Sequence, residues 1–441
     1  MATRYATHKA APVRQITKVV IGGTWATSDT LTATIGSRVL TITVGADTST
    51  TQVATALRDA WNSNQRLDSE GNTDATSNFG GYECGEFMDG EAYIDPDEAS
   101  TVYIRSTKPG IPFTTTIAKG TSASGTVTQT TPQAATGPWH WDDSANWDTP
   151  PTDADTIVLK DLTGEAIGFK FNFPASLEAT LNHYMSYTGP IGLPALNTWN
   201  GKTYQEYRQR YLALDFNAGS NILHRFGMGK DGPGSPLINV VHNGTNIKAV
   251  VYNTGTPQVQ GTKALNIASD DSNSDVVVYG GSVDVSSQFS TQCIWNMLTI
   301  NGGDVKAFNS FSIGGGDLYV RGGTVLFGDT GDIGTCAVHG GTLRLQDFSG
   351  DIATKLLVDG GQVLLAGGGN TIASLLAYKG EINFSESWSA VTITAGELHR
   401  ACRFVDPYQS VVASTDFYIY DDPSTDWIFG ANPNAPIKIV L

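Results

Sequence analysis

The sequence predicts a mainly β protein: a small N-terminal α+β domain followed by a parallel β-helix (β-solenoid) with a terminal cap. Three observations carry this expectation. A glycine pair returns about every 20 residues through the C-terminal half, the self-similarity of a solenoid. It stands at Gly280-Gly281, Gly302-Gly303, Gly322-Gly323, Gly340-Gly341 and Gly360-Gly361, with a weaker echo at Lys379-Gly380 and Ala395-Gly396. Short β-type runs flank the pairs, such as Leu318-Tyr319-Val320 before and Thr324-Val325-Leu326-Phe327 after, and one such period has the length of one β-helix rung. Composition is the third. Charged residues make up only 16% of the 441 and glycines number 49, a low-charge, hydroxyl-rich balance suited to stacked β-rungs rather than to an ordinary globule.

The elements follow in chain order. Residues 1–13 are small, polar and basic and read as a flexible basic arm. Arg4, Lys9, Arg14 and Lys18 all precede the first acidic residue, Asp29, and are the candidate attachment residues. Residues 14–136 read as a compact α+β attachment domain. Thr30 to Ile35 and Val39 to Val44 alternate apolar and hydroxyl residues across Gly36-Ser37-Arg38, the pattern of a hairpin. A helix is expected from about Thr50, where Thr48, Ser49 and Thr50 supply capping oxygens. Its stripe is Val53, Ala54, Leu57, Ala60 and Trp61, an apolar face at helical spacing that should cover the hairpin. Residues 64–90 read as a long polar loop, and three further strands are expected within 100–130, giving a ββαβββ order.

Residues 137–400 read as the parallel β-helix, with an insertion near 191–235. Its start carries Trp139, Trp141 and Trp147 within nine residues. Large side chains that seal the first rung are one reading. A sugar-stacking platform is the other. In the insertion, Tyr204, Tyr207 and Tyr211 with Glu206, Arg208 and Arg210 suggest a short helix or turn cluster. Residues 401–441 break the glycine period and read as a C-terminal cap or small β element, which a solenoid needs to cover its last strand edges.

Chemistry leaves few marks. Asp142, Asp143, Asp148, Asp153 and Asp155 sit beside Pro, Ser or Asn, where aspartate serves turns. The run Asp270 to Asp275 lacks the spacing of a calcium loop. No HExxH, CxxC or GxSxG motif occurs in the chain, so no catalytic, metal or cofactor residues are assigned and a non-enzymatic protein is expected. The formal net charge of −16 argues against nucleic acid and anionic membrane as partners. Cys84, Cys293, Cys336 and Cys402 read as buried thiols of a chain made in a reducing cytoplasm. Met1 to Val13 lack the apolar core of a secretory signal.

Two segments resemble a group of proteins. TWATSDTLTATIGSRVLTITVGADTSTTQVATALRDAWNS resembles the small β-β-α module at the N-termini of uncharacterised tailed-bacteriophage virion proteins, and WDDSANWDTPPTDADTIVL resembles the tryptophan-rich start of the β-helix that follows it there. IGLP, YQEYRQRYLAL and VYNTGTP are similar to that group too. The resemblance implies a virion structural role without catalytic residues. The expected form is a capsid decoration or head-fibre protein at the virion surface, synthesised in the host cytoplasm. Its partners would be the major capsid protein or another virion protein, and its expected state, from the habit of phage fibres, a homotrimer. The alternative is a tailspike or receptor-binding protein that binds or cleaves host surface glycans, in which Trp139, Trp141 and Trp147 would stack on sugar rings.

Overall fold

The structure is a computed structural model. It describes residues 2–35, 38–46, 48–63, 87, 89–138, 140–152, 155–160, 179–186, 196–199, 202–205, 211–215, 222–229, 238–243, 246–255, 263–269, 271–286, 293–308, 311–313, 315–328, 331–408, 410–414, 417–420, 428–429 and 437–440. The chain folds into two compact units. One comprises Thr7–Trp147 and Ala195–Tyr207, the other Met1–Ala6, Asp148–Pro194 and Arg208–Leu441.

In the first unit an antiparallel four-stranded sheet has the order Gly90–Ile94, Thr101–Ser106, Ile16–Gly22, Thr126–Gln133, and a three-stranded sheet the order Arg38–Thr43, Thr30–Ile35, Thr115–Lys119. The helix spans Thr50–Ser63. Ser49 caps it, its Oγ accepting from the Gln52 amide and donating to Gln52 Oε1, the reciprocal arrangement that satisfies an otherwise orphaned first-turn donor. Val53, Ala54, Leu57 and Trp61 are buried in one core with Leu31, Ala33, Ile35, Leu40 and Ile42 of the hairpin. The sequence placed a loop up to residue 90 and so did not anticipate the strand Gly90–Ile94. Only two of its residues, Gly90 and Ala92, are buried, too short an alternation to read. Tertiary bonds create it: Trp61 Nε1 donates to the Gly90 carbonyl (2.7 Å), and the Asn62 side chain both donates to and accepts from the Ala92 backbone.

The second unit is a parallel β-solenoid. One sheet stacks Thr156–Leu159, Ala179–Tyr184, Ile222–Met228, Ile247–Val251, Asp275–Val278, Met297–Ile300, Asp317–Val320 and Ile333–Val338 in parallel register. The other stacks Tyr211–Asp215, Ile238–Asn243, Leu265–Ser269, Ser282–Asp284, Asp304–Phe308, Thr324–Gly328 and Thr342–Gln346. Ile352–Ala366, Thr371–Asn383 and Val391–Asp406 are single long strands that serve both sheets. Inward columns are apolar and dry: Leu298, Leu318, Cys336, Leu356 and Leu375 form one, Val305, Val325, Leu343, Val363 and Ile382 another, all 0% exposed. Full burial of a Val, Leu or Ile side chain is worth about 1.5–3 kcal/mol, and each turn contributes several.

The diglycine corner has a steric cause. Gly341 has φ +75°, the left-handed region that an L side chain enters at a cost. A Cβ on Gly340 would lie 2.6 Å from the Arg321 carbonyl oxygen of the turn before. The backbone ladder runs straight through: the Thr342 amide donates to the Gly323 carbonyl, as Thr324 does to Gly303 and Gln362 to Gly341.

Three boundaries differ from the sequence reading. The first residues are not a free arm. Thr3–Tyr5 is a strand in parallel register with Thr156–Leu159, and the Thr7 amide and the Ala10 amide donate to the Asn146 backbone and side chain. Three residues are too few to show periodicity, and their partner lies about 150 positions away. The solenoid also runs past residue 400: Val391–Asp406 pairs with Val411–Ala413 and Phe417–Tyr420, and the latter with Ile437–Val440. These turns lack glycine pairs, so the sequence signal ends before the stack does. Finally, Lys202–Gln205 pairs antiparallel with Leu196–Trp199, and Tyr211–Asp215 is a solenoid strand. Tyr204 and Tyr211 are therefore on strands rather than in a helix or turn cluster; Tyr207, Glu206, Arg208 and Arg210 lie outside the described residues.

Candidate functional surface

The candidate attachment residues do not form a basic patch. Arg4 Nε donates to Asp155 Oδ2 at 2.8 Å. Asp155 also accepts from the Ala2 and Thr152 amides and the Thr152 hydroxyl. Burial by itself would raise its pKa, but these bonds outweigh burial and hold the carboxyl well below the usual carboxylate range. Arg14 donates to the Ser106 and Thr107 carbonyls. Lys18 pairs with Glu98 at 2.7 Å and lies over the Tyr103 ring. Its pKa is raised, first by the hydrogen bond to Glu98. Of the four, Lys9 is exposed. A basic N-terminus in sequence is thus an internally compensated one in space.

The tryptophans divide similarly. Trp139 lies outside the described residues. Trp141 and Trp147 are only 8% and 5% exposed, pack edge to face at 4.7 Å and are tied by the Trp147 Nε1 bond to the Trp141 carbonyl. Buried rings cannot stack on a sugar, so these two are removed from the glycan reading. The segment between them is a knot of turn chemistry. Asp143 caps the short helix Ser144–Asn146, and buried Asn146 donates to the Gly137 and His140 carbonyls. Asp148 likewise accepts from the Tyr5 and Thr149 amides.

The outward residue before each glycine corner forms a ladder the sequence did not reveal. Register aligns Tyr252, Tyr279, Asn301, Arg321, His339 and Asp359 one turn apart. Tyr252 and Tyr279 stack at 5.4 Å and 6°. His339 Nδ1 lies 2.7 Å from Asp359 Oδ1. Farther on, the His399 ring packs at a tilt against Tyr378 at 4.5 Å and stacks on Tyr420 at 4.7 Å. Spacing could have found part of this column, since Tyr279, Asn301, Arg321, His339 and Asp359 each stand just ahead of a glycine, but its residue types vary from turn to turn. Stacked rings cover each other's faces and bridge neighbouring turns, so the column braces the corner.

Inside the early turns lies a histidine cluster. His224 and His242 are fully buried with His224 Nδ1 3.2 Å from His242 Nε2, and His183 and Phe226 pack nearby. Burial pushes the His242 imidazole down to about 3. Burial, with the charges of His242 and His183, holds His224 well below its ordinary value. A cleft of about 290 Å³, including its open mouth, is lined by His183, Met185, Phe226, Asn253 and Thr254 among others. Its polar groups are engaged in the local turn: Thr254 Oγ1 accepts from the Ser282 amide and donates to the Gly255 carbonyl, and Asn253 Oδ1 accepts from the Thr254 amide.

Among the described residues no group of three or more His, Cys, Asp or Glu could hold a metal ion, and no helix is long and apolar enough to cross a membrane. Cys293, Cys336 and Cys402 are buried, and Cys293 Sγ donates to the Val285 carbonyl. Burial pushes Cys336 up to about 12, and Cys402 to about 12 with Glu381 adding to the effect, which makes both poor nucleophiles. Cys84 lies outside the described residues. The chain matches no protein-family model and no curated protein.

Proposed function

We propose that the chain is a structural protein of a tailed-phage particle, of capsid decoration or head-fibre type. In this reading the unit formed by Thr7–Trp147 and Ala195–Tyr207 docks on the major capsid protein or another virion protein, the solenoid is the displayed body, and the assembly is a homotrimer. The observation that carries it is the parallel register, which persists through successive turns from Thr156 to Val440, with fully buried apolar columns between Met297 and Asn383. Each turn gains from its neighbours, so such a body is stiff and extensible, and the net charge of −16 keeps crowded copies soluble. The sequence resemblance to virion proteins supports the setting. The reading is non-enzymatic: the acids near the corners serve the scaffold, Asp284 with Ser286 and Lys306, Asp317 with Tyr319 and the Thr335 amide. Attachment no longer rests on a free basic arm, because Arg4, Arg14 and Lys18 are engaged within the chain.

Immunogold labelling with antibody to the purified chain tests the proposal on particles purified from induced or infected host cells. Regularly spaced label on the particle is expected. Chain recovered only in the soluble lysate, with unlabelled particles, would overturn it.

A further inference from the structure

The two sheets of the solenoid treat their charges differently. Along the sheet that holds Ser282–Asp284, Asp304–Phe308 and Thr342–Gln346, charges are settled inside the chain: Lys306 with Asp284, Lys263 with Asp304, Arg344 with Glu386 and Arg403 with Glu381. The other sheet has an outward column that carries no charge. One residue per turn and in register, it is Val277, Thr299, Tyr319, Ala337, Leu357 and Leu376. It ends one turn later at Glu397. The strand neighbours of Leu357, Leu356 and Val358, are fully buried, so alternation sets this column on the outer face.

Two further columns flank it, two residues earlier and two residues later on each strand. In one turn they present Asp317 and Arg321, and two turns on Lys355 and Asp359. The signs are opposite across the strip in both turns, and they exchange sides between them. Within one chain the flanking residues stand about 13 Å apart along the strand, too far to pair. Arg321 and Lys355 take part in no ion pair or side-chain hydrogen bond among the described residues. Asp359 spends Oδ1 on His339, and Asp317 accepts from the Tyr319 hydroxyl and the Thr335 amide. An ionised carboxylate has about four lone-pair sites, so both can take a further donor.

We propose that this strip is the contact between copies of the chain, set parallel and at equal height around a common axis. The inference rests on the homotrimer proposed above and adds the face that makes it. An axis parallel to the solenoid turns the apolar column of every copy inward. The earlier flanking column then meets the later one of the next copy at the same turn. Asp317 faces Arg321 of one neighbour, and Lys355 faces Asp359 of the same neighbour. Such a head-to-tail contact closes into a ring. Only another copy carries this series of charges at this spacing by construction. Antiparallel copies would match the same charges but could form pairs only. The net charge of −16 is a weak obstacle, because at physiological salt charges more than about 8 Å apart are largely screened.

Sedimentation equilibrium and native mass spectrometry of the full chain test the proposal. A trimer is expected. Leu357→Asp should raise the concentration at which it forms at least about tenfold, and the circular dichroism of the separated chains should stay that of the wild type, since the residue lies on the outer face. Lys355→Glu and Asp359→Lys each bring like charges together at every contact and should act in the same direction. The double variant should recover the wild-type trimer, a rescue that residues this far apart in one chain cannot give. A monomer at every concentration overturns the proposal and the homotrimer together. A trimer indifferent to all three single variants overturns this face and leaves the homotrimer standing. A dimer that the double variant weakens further identifies antiparallel pairing and overturns the proposal as well. The place of the chain on a particle is read separately by the immunogold label.

Discussion

The turns between Met297 and Asn383 and those between Ala179 and Val251 share one backbone plan but fill it differently. In the later turns every inward position of the main columns is Leu, Ile, Val, Ala, Phe or Cys, and all are sealed from solvent. In the earlier turns the interior holds His224 and His242, neutral, hydrogen-bonded to each other and packed on Phe226 and Trp295. A parallel register tolerates either filling, because its backbone bonds are the same in both. What differs is the response to conditions. An apolar column is indifferent to pH, whereas a buried neutral imidazole resists protonation only while the fold holds.

Four experiments order this contrast by size of effect. Phe327→Ala, in a fully buried column position packed against Phe348, should cost about 3–5 kcal/mol in urea melts; a loss below 1 kcal/mol would mean the later turns repack freely. Acid should act on the early turns. The folded-state His242 pKa lies near 3 against about 6.5 unfolded, so its contribution is complete above pH 6.5. It is lost as pH falls from there toward 3, at up to about 1.4 kcal/mol per pH unit. Hydrogen exchange at pH 7.5, 5.5 and 4.5 should show protection falling first in strands Ile222–Met228 and Ile238–Asn243. Equal protection of early and late turns at pH 4.5 would break the comparison.

Gly341→Ala comes next. It places a side chain at φ +75° against the backbone of the turn before and should cost about 1–3 kcal/mol without altering pH dependence. Smallest is Arg4→Ala, which strips the buried Asp155 of its guanidinium partner and should cost about 1–2 kcal/mol, with Lys9→Ala within about 0.5 kcal/mol. Equal effects of these two would restore the free arm.

Much of the fold was legible because its signals are local. The glycine period fixes where the chain bends, the flanking alternation fixes which residues face inward, and the cap oxygens of Thr48, Ser49 and Thr50 mark the helix start. The candidate surfaces were less so. Trp141 and Trp147 left a rung-sealing role and a sugar platform both open, because aromatic density cannot distinguish a buried ring from a displayed one; burial decides for the first. The basic N-terminus misled for a related reason: Asp155 and Glu98, which neutralise Arg4 and Lys18, come much later in the chain.

The order of residues by itself determined that the chain would coil, since a left-handed corner needs glycine and repeated strands need a repeated core. Tertiary structure alone decided how far the coil extends, that Thr3–Tyr5 joins it, and which charges and rings remain on the outside. Those outcomes depend on partners distant in sequence, and exposure is a property of what packs against a side chain, not of the side chain's own chemistry.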